Sequence, residues 1–380
     1  MTTIPRLLQK EIERRMRAQK VMLLFGARRV GKTVLLRQIA ENYGGGRTLM
    51  LNGESMDTVR LLEDRSSANY RRLFGGLSLL AIDEAQHIPD VGMKLKLIVD
   101  ELPELAVIAT GSSSFDLQNR AGEPLVGRST QFMLTPLSVE EMAAVETRFE
   151  TMLNTDHRVV YGHYPELTAM ASEVDKREYL TDVVDAYLLR DILAIDVVKH
   201  TQKLHDLLRL VAWQVGSEVS IDELARQLTL SRNTVERYLD LLQKVFVLYR
   251  VGGFSRNLRK EIAKSSKWYF QDTGVRNAVL HDFRPLSERP EAERGALWEN
   301  YVISERMKRN LNHRLGLNFY FWRTYDKAEI DLIEEDGMCI NAYEIKAGVK
   351  RPSAPKSFAA AYPDAGFNVI NRDTYMDYLV

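Results

Sequence analysis

The sequence predicts an α/β protein in which a parallel sheet is followed by a helical lid, a winged helix-turn-helix and a second, C-terminal α/β domain. Three observations support this fold class. A glycine-rich loop lies between a strand-like and a helix-like segment within residues 21–43. Strand-like and helix-like segments alternate over about the first 135 residues, which favours parallel strands covered by helices on both faces. Helix-capping signals occur near residue 220, and an Asp-Gly hairpin signal joins two strand-like runs near residue 336.

The glycine-rich loop, residues 26–33, matches the pattern G-x-x-x-x-G-K-[ST] at every fixed position. An apolar run precedes it, and an amphipathic helix over 33–43 follows. In such a loop, backbone N–H groups and the helix N-terminus face phosphate oxygens. We therefore expect ATP as the ligand, with Lys32 on its outer phosphates and the Thr33 hydroxyl on a Mg²⁺ ion. The predicted nucleotide-binding residues of this segment are Gly26, Ala27, Arg28, Arg29, Val30, Gly31, Lys32, Thr33 and Val34.

A pair of acids follows the next apolar strand, residues 79–82. Asp83 is placed to join the Mg²⁺ shell and so to bind the nucleotide through the metal. Glu84 is placed to polarise the attacking water, because a carboxylate within reach of water acts as a general base. After a complete phosphate loop, these two acids predict ATP hydrolysis as well as binding.

Three further candidates lie near the next strands. Thr110 ends a strand-like run at 105–110 and Ser112 follows it; either could contact the γ-phosphate or place the water, although a plain Gly/Ser turn explains them equally. Arg128 lies in a loop just before another strand. In a homo-oligomer, an arginine there could reach the γ-phosphate of a neighbouring subunit and stabilise transition-state charge. A surface salt bridge is the alternative for Arg128.

These segments resemble the AAA superfamily of P-loop ATPases. More narrowly, the chain is similar to prokaryotic ATP-binding proteins that join an AAA-type domain to a winged helix and a C-terminal restriction-endonuclease-like domain of unknown function. The likeness is carried by the loop and by Asp83-Glu84-Ala85-Gln86, Thr110-Gly111-Ser112-Ser113-Ser114, Gly127-Arg128, Leu134-Thr135-Pro136-Leu137-Ser138, Tyr161-Gly162-His163-Tyr164-Pro165-Glu166 and Leu189-Arg190-Asp191. We expect an ATPase domain at 1–137, a helical lid at 138–203, a winged helix-turn-helix at 204–285 and an endonuclease-like domain at 286–380.

The predicted winged helix-turn-helix is the first candidate for contact with DNA. Ser220 and Ser231 are predicted N-caps of its last two helices. Its wing concentrates the basic residues Arg256, Arg259, Lys260, Lys264 and Lys267, which is typical of a phosphate-contacting patch. Glu236 and Asp240 on the recognition helix count against binding in a DNA groove, so a packing module between domains is the alternative.

The C-terminal segment holds a second set of candidate catalytic residues. If Asp336-Gly337 is a two-residue turn, Asp331 pairs with Ala342, and alternation places Asp331, Glu344 and Lys346 on one sheet face. Two acids and a lysine suit metal-dependent hydrolysis of a phosphodiester. The set also resembles the Asp, spacer, Glu-x-Lys pattern of restriction endonucleases. The metal ligands that this implies are Asp331, Glu344 and the helix acid Glu299, with Lys346 as a catalytic residue; a fold that has lost its activity is the alternative.

Composition limits the remaining possibilities. Lys plus Arg and Asp plus Glu are equal at 52 each, so any nucleic-acid binding has to be local. The lone Cys339 excludes an internal disulfide, and together with the lack of an apolar run of membrane length it predicts a cytoplasmic protein without a membrane partner. The predicted function is an ATP- and Mg²⁺-dependent ATPase that acts on DNA. The alternative is a nucleotide-controlled switch with an inactive C-terminal interaction platform.

Overall fold

The structure is a computed structural model that describes residues 4–43, 46–111, 125–188, 192, 201–255, 266–324, 326 and 328–380, with the backbone alone at 186–188. None of the helices within these ranges is long and apolar enough to cross a membrane.

The first sheet of the described residues has five parallel strands in the order β2-β3-β4-β1-β5. They are β1 (Val21–Phe25), β2 (Arg47–Asn52), β3 (Leu77–Asp83), β4 (Ala106–Gly111) and β5 (Ser129–Met133). Every residue of β1 and β4 is buried, because helices cover both faces of a parallel sheet. The predicted α/β fold is confirmed. Since the strands are parallel, the carboxyl ends of β1, β3 and β4 meet at one edge of the sheet.

Helices accompany this sheet and continue beyond it. Those around the sheet are α1 (Leu7–Arg15), α2 (Lys32–Asn42), α3 (Met56–Leu61), α4 (Ser67–Phe74) and α5 (Val91–Glu101). Those that follow it are α6 (Val139–Ala143), α7 (Arg148–Leu153), α8 (Thr155–Tyr161) and α9 (Glu173–Asp182), with a 3-10 turn (Pro165–Ala169) and a π-helical turn (Val183–Leu188).

Three further helices follow, and the last two of them have the N-caps that the sequence predicts. They are α10 (Thr201–Trp213), α11 (Ile221–Leu228) and α12 (Arg232–Lys244). The Ser220 side chain accepts a hydrogen bond from the Glu223 amide, and Ser231 accepts one from the Thr234 amide, so each serine satisfies a backbone donor at a helix N-terminus.

The second sheet of the described residues joins strands from both sides of residue 285. Its order is β12-β11-β10-β9-β7-β8-β6, and β7 and β9 are parallel. The strands are β6 (Glu218–Val219), β7 (Leu248–Gly253), β8 (Ser266–Phe270), β9 (Asn318–Arg323), β10 (Glu329–Glu335), β11 (Ile340–Ile345) and β12 (Gly366–Ile370). The last helices are α13 (Thr273–Leu280), α14 (Glu291–His313), α15 (Lys356–Ala361) and α16 (Tyr375–Leu379).

The hairpin between β10 and β11 corrects one predicted detail. Ile333, not Asp331, lies opposite Ala342, so the predicted pairing of Asp331 with Ala342 is wrong. The connection is longer than two residues because the Asp336 carboxylate accepts hydrogen bonds from the amides of Met338 (3.0 Å) and Cys339 (2.7 Å). The register differs from the prediction by two residues. A shift of two keeps every side chain on its predicted face.

A buried ion cluster fastens α14 to the segment between β5 and α6. The Lys308 ammonium donates to the Leu137 carbonyl (2.9 Å) and lies 2.6 Å from Glu305 Oε1, and His163 Nδ1 lies 3.2 Å from the same oxygen. The other carboxylate oxygen of Glu305 accepts a hydrogen bond from the Val139 amide (2.6 Å). Burial alone would raise the pKa of Glu305, but Lys308 and His163 outweigh it and hold that pKa at about 2. The cluster therefore ties α14 to the first sheet's domain.

The end of α8 packs closely against the start of α13, where the backbone of Gly162 lies against the Asp272 side chain. The φ of Gly162 is +74°, and a Cβ there would lie 1.9 Å from Asp272 Oδ1. The same Asp272 side chain accepts hydrogen bonds from the His163 amide (2.7 Å) and caps α13 through the amides of Gly274 and Val275. A side chain at position 162 would therefore displace a carboxylate that holds two segments together.

We expect Gly162→Ala to lower the free energy of unfolding by about 3 kcal/mol, from left-handed backbone strain and the clash with Asp272 combined. Gly316→Ala is the matched control, since its φ is +73° and no described heavy atom lies within 4 Å of a Cβ there. The control should lose only about 1 kcal/mol, from backbone strain alone. Urea denaturation measures both, and equal losses would contradict the contact at Asp272.

Candidate functional site

The phosphate loop joins β1 to α2 and has little room for side chains. A Cβ on Gly26 would lie 2.2 Å from the Leu134 carbonyl oxygen. Gly31 is the N-cap of α2 with a φ of +97°, a conformation that favours glycine. These two glycines allow the chain to turn tightly from a buried strand into a helix whose N-terminus faces the loop.

Lys32 is the first residue of α2 and is almost fully buried. Its ammonium donates to the carbonyl oxygens of Gly26 and Ala27, at 2.9 Å each. The cation therefore lies against the loop itself. Phosphate oxygens carry negative charge and are stronger acceptors for it than neutral carbonyls.

Side chains from the start of α2 and the end of β4 converge on the Asp83 carboxylate at the end of β3. The Thr33 hydroxyl donates to Asp83 Oδ2 (2.7 Å) and the Thr110 hydroxyl donates to Asp83 Oδ1 (2.5 Å). A hydroxyl and a carboxylate oxygen are the hard donors that Mg²⁺ takes from proteins. The described residues contain no group of three or more His, Cys, Asp or Glu side chains that could hold a metal. Thr33 and Asp83 still fit Mg²⁺, because that ion usually has few protein ligands and completes its shell with phosphate oxygens and water.

Glu84 follows at the same sheet edge in a left-handed conformation, with a φ of +49°. Gln86 Nε2 donates to Glu84 Oε2 (2.5 Å), and the Glu84 amide donates to the Thr110 hydroxyl (3.0 Å). Thr110 is fully buried between the two acids. That placement favours a role in positioning the acids over direct contact with a phosphate. Ser112 lies outside the described residues.

The outer side of the loop is anchored by residues that the sequence reasoning missed. Arg6 donates to the carbonyls of Val30 (2.8 Å) and Thr135 (2.6 Å) and to the Glu141 carboxylate (3.0 Å). Nothing in the sequence around Arg6 indicates this contact, because its partners are distant along the chain. The one local signal is the S-x-x-E spacing of Ser138 and Glu141, which forms a capping box in the structure and so fixes the carboxylate that Arg6 contacts.

Arg28 and Arg29 of the loop point towards the segments that follow the first sheet. The Arg29 guanidinium lies 5.0 Å from the centre of the Tyr179 ring, and its Nη1 lies 3.7 Å from Glu166 Oε2. Arg28 lines a small cavity together with Tyr164 and Asp272. The loop is thus in contact with the lid that the sequence predicts.

A cavity of 650 Å³ opens beside Gly31. Its lining is mostly apolar and includes Ile4, Val34, Leu35, Leu137, Met142 and Pro165. Volume and lining are those of a site for a small organic ligand. Val34, predicted to bind nucleotide, lies between this cavity and the loop.

Arg128 lies at the opposite edge of the sheet, just before β5 begins. Its Nε is 2.7 Å from Asp100 Oδ1, and 42% of the side chain is exposed. In a parallel sheet, the start of a strand is far from the edge that carries the phosphate loop. Within its own chain, Arg128 therefore lies apart from the phosphate loop and pairs with Asp100.

The basic residues predicted to contact DNA are only partly described. On α12, Arg232 pairs with Asp222 (2.8 Å) and Glu236 (3.0 Å), and Lys244 pairs with Asp240 (2.6 Å). The wing residues Arg256, Arg259, Lys260 and Lys264 lie outside the described residues. The placement of Lys267 in an exposed patch is wrong, since Lys267 is only 2% exposed. It lies on β8, and its side chain points to the sheet face that carries the C-terminal acids.

The predicted C-terminal residues do come together. Lys346 Nζ lies 2.5 Å from Glu344 Oε1 and 3.7 Å from Asp331 Oδ2, which also accepts a hydrogen bond from the Ile345 amide (2.7 Å). Glu299 of α14 belongs to the same electrostatic cluster. Burial raises the pKa of both Asp331 and Glu344, although Lys346 opposes the shift. Burial likewise raises the pKa of Glu299 to about 7, against the effect of Lys267.

Three more residues join this cluster without having been predicted as part of it. Lys267 Nζ lies 2.6 Å from Glu329 Oε1 and 3.4 Å from Glu299 Oε1. The Tyr269 hydroxyl donates to Glu299 Oε1 (2.6 Å). Lys267 and Tyr269 share a face because strand side chains alternate. That spacing is the signal that could have found them.

Comparisons with known proteins are most informative for the domain of the first sheet. Residues 18–143 match the family model "AAA domain", while residues 152–285 and 294–377 match two models described as domains of unknown function. An uncharacterized protein of Mycobacterium tuberculosis, Rv2008c, is 29% identical over 361 residues, which cover 93% of this chain and 76% of the relative. Uncharacterized proteins of Haemophilus influenzae and Methanocaldococcus jannaschii (MJ1544) are 24% and 22% identical, covering 82% and 96% of this chain and 79% and 84% of the relatives.

A solved structure of Drosophila ORC bound to DNA matches 72% of this chain and 92% of its own, with 17% identity and a TM-score of 0.29, which is too low to bear on fold or function. The family match and the phosphate loop at the edge of a parallel sheet agree with each other. Residues 18–143, about a third of the chain, therefore form an AAA domain of the P-loop type.

Proposed function

We propose that this AAA domain binds ATP with Mg²⁺ and hydrolyses it at the carboxyl edge of the first sheet. The observation that carries the proposal is the convergence there of Lys32 and Thr33 from the start of α2 with Asp83 and Glu84 from the end of β3. Each has the chemical group that its role needs: a cation for phosphate, two oxygen donors for a metal, and a base for water.

The roles follow from the contacts. Lys32 leaves the loop carbonyls and donates to the outer phosphates, which the N-terminus of α2 also faces. Thr33 and Asp83 hold the Mg²⁺ ion, which when bound neutralises charge that develops on the phosphate oxygens. Glu84, oriented by Gln86 and by the Thr110 hydroxyl, accepts a proton from the attacking water.

The nucleoside is assigned to the 650 Å³ cavity beside Gly31. Its apolar lining suits one face of a planar base, and its position next to α2 keeps a bound base within reach of phosphates in the loop. Arg29, a residue of the phosphate loop, contacts Tyr179 and Glu166. Binding of phosphates in the loop therefore acts directly on the position of these lid segments.

A homo-oligomer would give Arg128 a role. It is partly exposed at the sheet edge opposite the phosphate loop, so it can contact a phosphate only on another copy of the chain. We propose that Arg128 completes the site of a neighbour. The lone Cys339 fits a reducing compartment, which makes the cytoplasm the proposed location.

DNA cleavage at the C-terminal cluster is a second candidate function. The observation that favours it is the meeting of Asp331, Glu344, Lys346 and Glu299 on one sheet face, in the pattern that the resemblance to restriction endonucleases implies. In that function DNA is the proposed partner, bound through the wing residues and this cluster. Two observations favour a nucleotide-controlled switch with a closed C-terminal domain instead: lysines lie among these acids, and cations of α12 are paired with acids.

Lys32→Ala should remove most ATP binding and lower turnover by at least about a hundredfold, because the outer phosphates lose their cation. Phosphate release and nucleotide binding measure the two effects. Lys10→Ala, at an exposed position of α1, is the control and should behave like the wild type. Wild-type turnover by Lys32→Ala would refute the proposed site.

Glu84→Gln and Asp83→Asn should fail in different ways. Glu84→Gln should bind ATP normally and hydrolyse it about a hundredfold or more slowly, because only the base is lost. Asp83→Asn should weaken the binding of ATP in the presence of Mg²⁺. Binding titrations with and without Mg²⁺, combined with phosphate release, separate the two roles, and identical behaviour would show that the division of labour is wrong.

The C-terminal cluster should be separable from ATP hydrolysis. With ATP and Mn²⁺ present, Asp331→Ala and Lys346→Ala should abolish any nicking of plasmid DNA and leave phosphate release within about twofold of wild type, as expected for independent sites. Asp364→Ala, an exposed acid outside the cluster, is the control. If the wild type does not nick DNA under these conditions, the switch function is favoured.

A further inference from the structure

The two carboxylates in the described lining of the 650 Å³ cavity beside Gly31 both have basic partners. Glu146 forms an ion pair with Arg158, and Glu166 Oε2 lies 3.7 Å from Arg29 Nη1. Each carboxylate therefore already has a counter-ion. The lining, as far as it is described, presents a ligand with no unpaired acid.

Gln38 is the polar side chain of this lining that has no hydrogen-bond partner within the residues that the structure describes. The other neutral one, Thr168, donates its hydroxyl to the Pro165 carbonyl (2.7 Å), and the Arg6 guanidinium donates to three acceptors. Gln38 is half-buried on α2, one helical turn after Val34, so the two side chains share a face of the helix. Its amide offers the cavity a donor and an acceptor side by side.

The order of groups along α2 matches the order of the parts of a nucleotide. Lys32, at the start of the helix, is the proposed cation for the outer phosphates. Val34 provides an apolar side chain, and Gln38 lies six residues beyond Lys32, a rise of about 9 Å. The base is the part of a nucleotide farthest from its outer phosphates, so phosphates at Lys32 are compatible with a base at the Gln38 end of the cavity.

A side-chain amide matches adenine better than guanine. Adenine has its 6-amino donor next to a ring-nitrogen acceptor, and an amide pairs with both at once. Guanine has two acceptors, O6 and N7, on one edge, which require two donors. Its other edge has two donors, N1–H and the 2-amino group, beside O6. An amide leaves one of those donors unpaired, and both described acids of the cavity already have partners.

We propose that Gln38 is the residue that selects adenine: its Oε1 accepts a hydrogen bond from the 6-amino group of the bound base, and its Nε2 donates one to the neighbouring ring nitrogen. This inference rests on the proposed ATP site and adds the side chain that reads the base. Gln38 contacts the base and not the phosphates, so it governs affinity and the choice of base and takes no part in hydrolysis.

The test is a calorimetric titration of the full chain with ADP and with GDP. The two nucleotides have identical phosphates and sugars, so the ratio of their dissociation constants reports on the base alone. The wild type should bind ADP about tenfold more tightly than GDP, within the range that a bidentate contact between an amide and a base supplies. Gln38→Leu, which keeps a side chain of similar size, should weaken ADP binding about tenfold and bring the ratio close to one.

Two further variants separate recognition of the base from a general effect on α2. Gln38→Glu replaces the amide donor by a second acceptor, which suits the adjacent N1–H and 2-amino donors of guanine, so this variant should bind GDP more tightly than ADP. Asn42→Leu makes the same amide-to-leucine change one turn further along α2, at an exposed position outside the described lining. It should keep wild-type affinity for both nucleotides.

ATP turnover distinguishes this contact from the hydrolytic residues. Gln38→Leu should raise the KM for ATP about tenfold and leave kcat within about twofold of wild type, because a contact with the base is the same in the ground state and the transition state. Glu84→Gln, by contrast, loses kcat.

An unchanged ratio of ADP to GDP affinity in Gln38→Leu would overturn the inference, and so would a preference for ADP in Gln38→Glu. A wild type that binds ADP and GDP equally well overturns the role of Gln38 but leaves the phosphate site intact. A wild type that binds neither nucleotide overturns the proposed ATP site itself, and the role of Gln38 with it.

Discussion

The carboxylate of Asp83 is the point on which the ATPase site depends. It accepts one hydrogen bond from a hydroxyl at the start of α2 and another from a hydroxyl at the end of β4. These two bonds fix the position of the phosphate loop relative to β3 and β4. Thr110 passes this constraint to the backbone of Glu84. A displacement of β3 relative to β1 would therefore move Asp83 and Glu84 together, the proposed metal ligand and the proposed base. The parallel sheet supplies that rigidity through strands that are buried on both faces.

Helix α14 joins the two candidate sites physically. Glu305 and Lys308 fasten it to residues 137–139 beside the phosphate loop's anchors, while Glu299 on the same helix belongs to the C-terminal cluster. Six residues of helix separate Glu299 from Glu305, a rise of about 9 Å. The low pKa of Glu305 indicates that this fastening is strongly ionic. Any movement of the lid segments that reaches His163 is therefore applied to a rigid element that also carries an acid of the second site.

The sequence predicted best what depends on neighbouring residues. The phosphate loop, its strand and its helix form one continuous pattern, and the caps at Ser220 and Ser231 need only three residues each. The face shared by Asp331, Glu344 and Lys346 was predicted despite an error of two residues in register, because side-chain direction has a period of two. Long-range contacts were not predictable in this way. Arg6 meets Glu141 across 135 positions. Lys267 was assigned to an exposed basic patch, and its buried position depends on partners from β10 and α14 that are distant along the chain.

The parallel pairing of β7 with β9 has a practical consequence for dissection of the chain. A fragment that begins at residue 286 would contain β9 and β10 but would lack β7, the other neighbour of β9. The backbone donors and acceptors on that side of β9 would then be open to pairing with another molecule. The same cut would remove Lys267 and Tyr269 and leave Glu299 without its hydrogen-bond partners. Self-association of such a fragment, or an altered charge state of Glu299, would reflect the cut and not the intact protein. A fragment that begins before β6 keeps both the strand order and the charge balance.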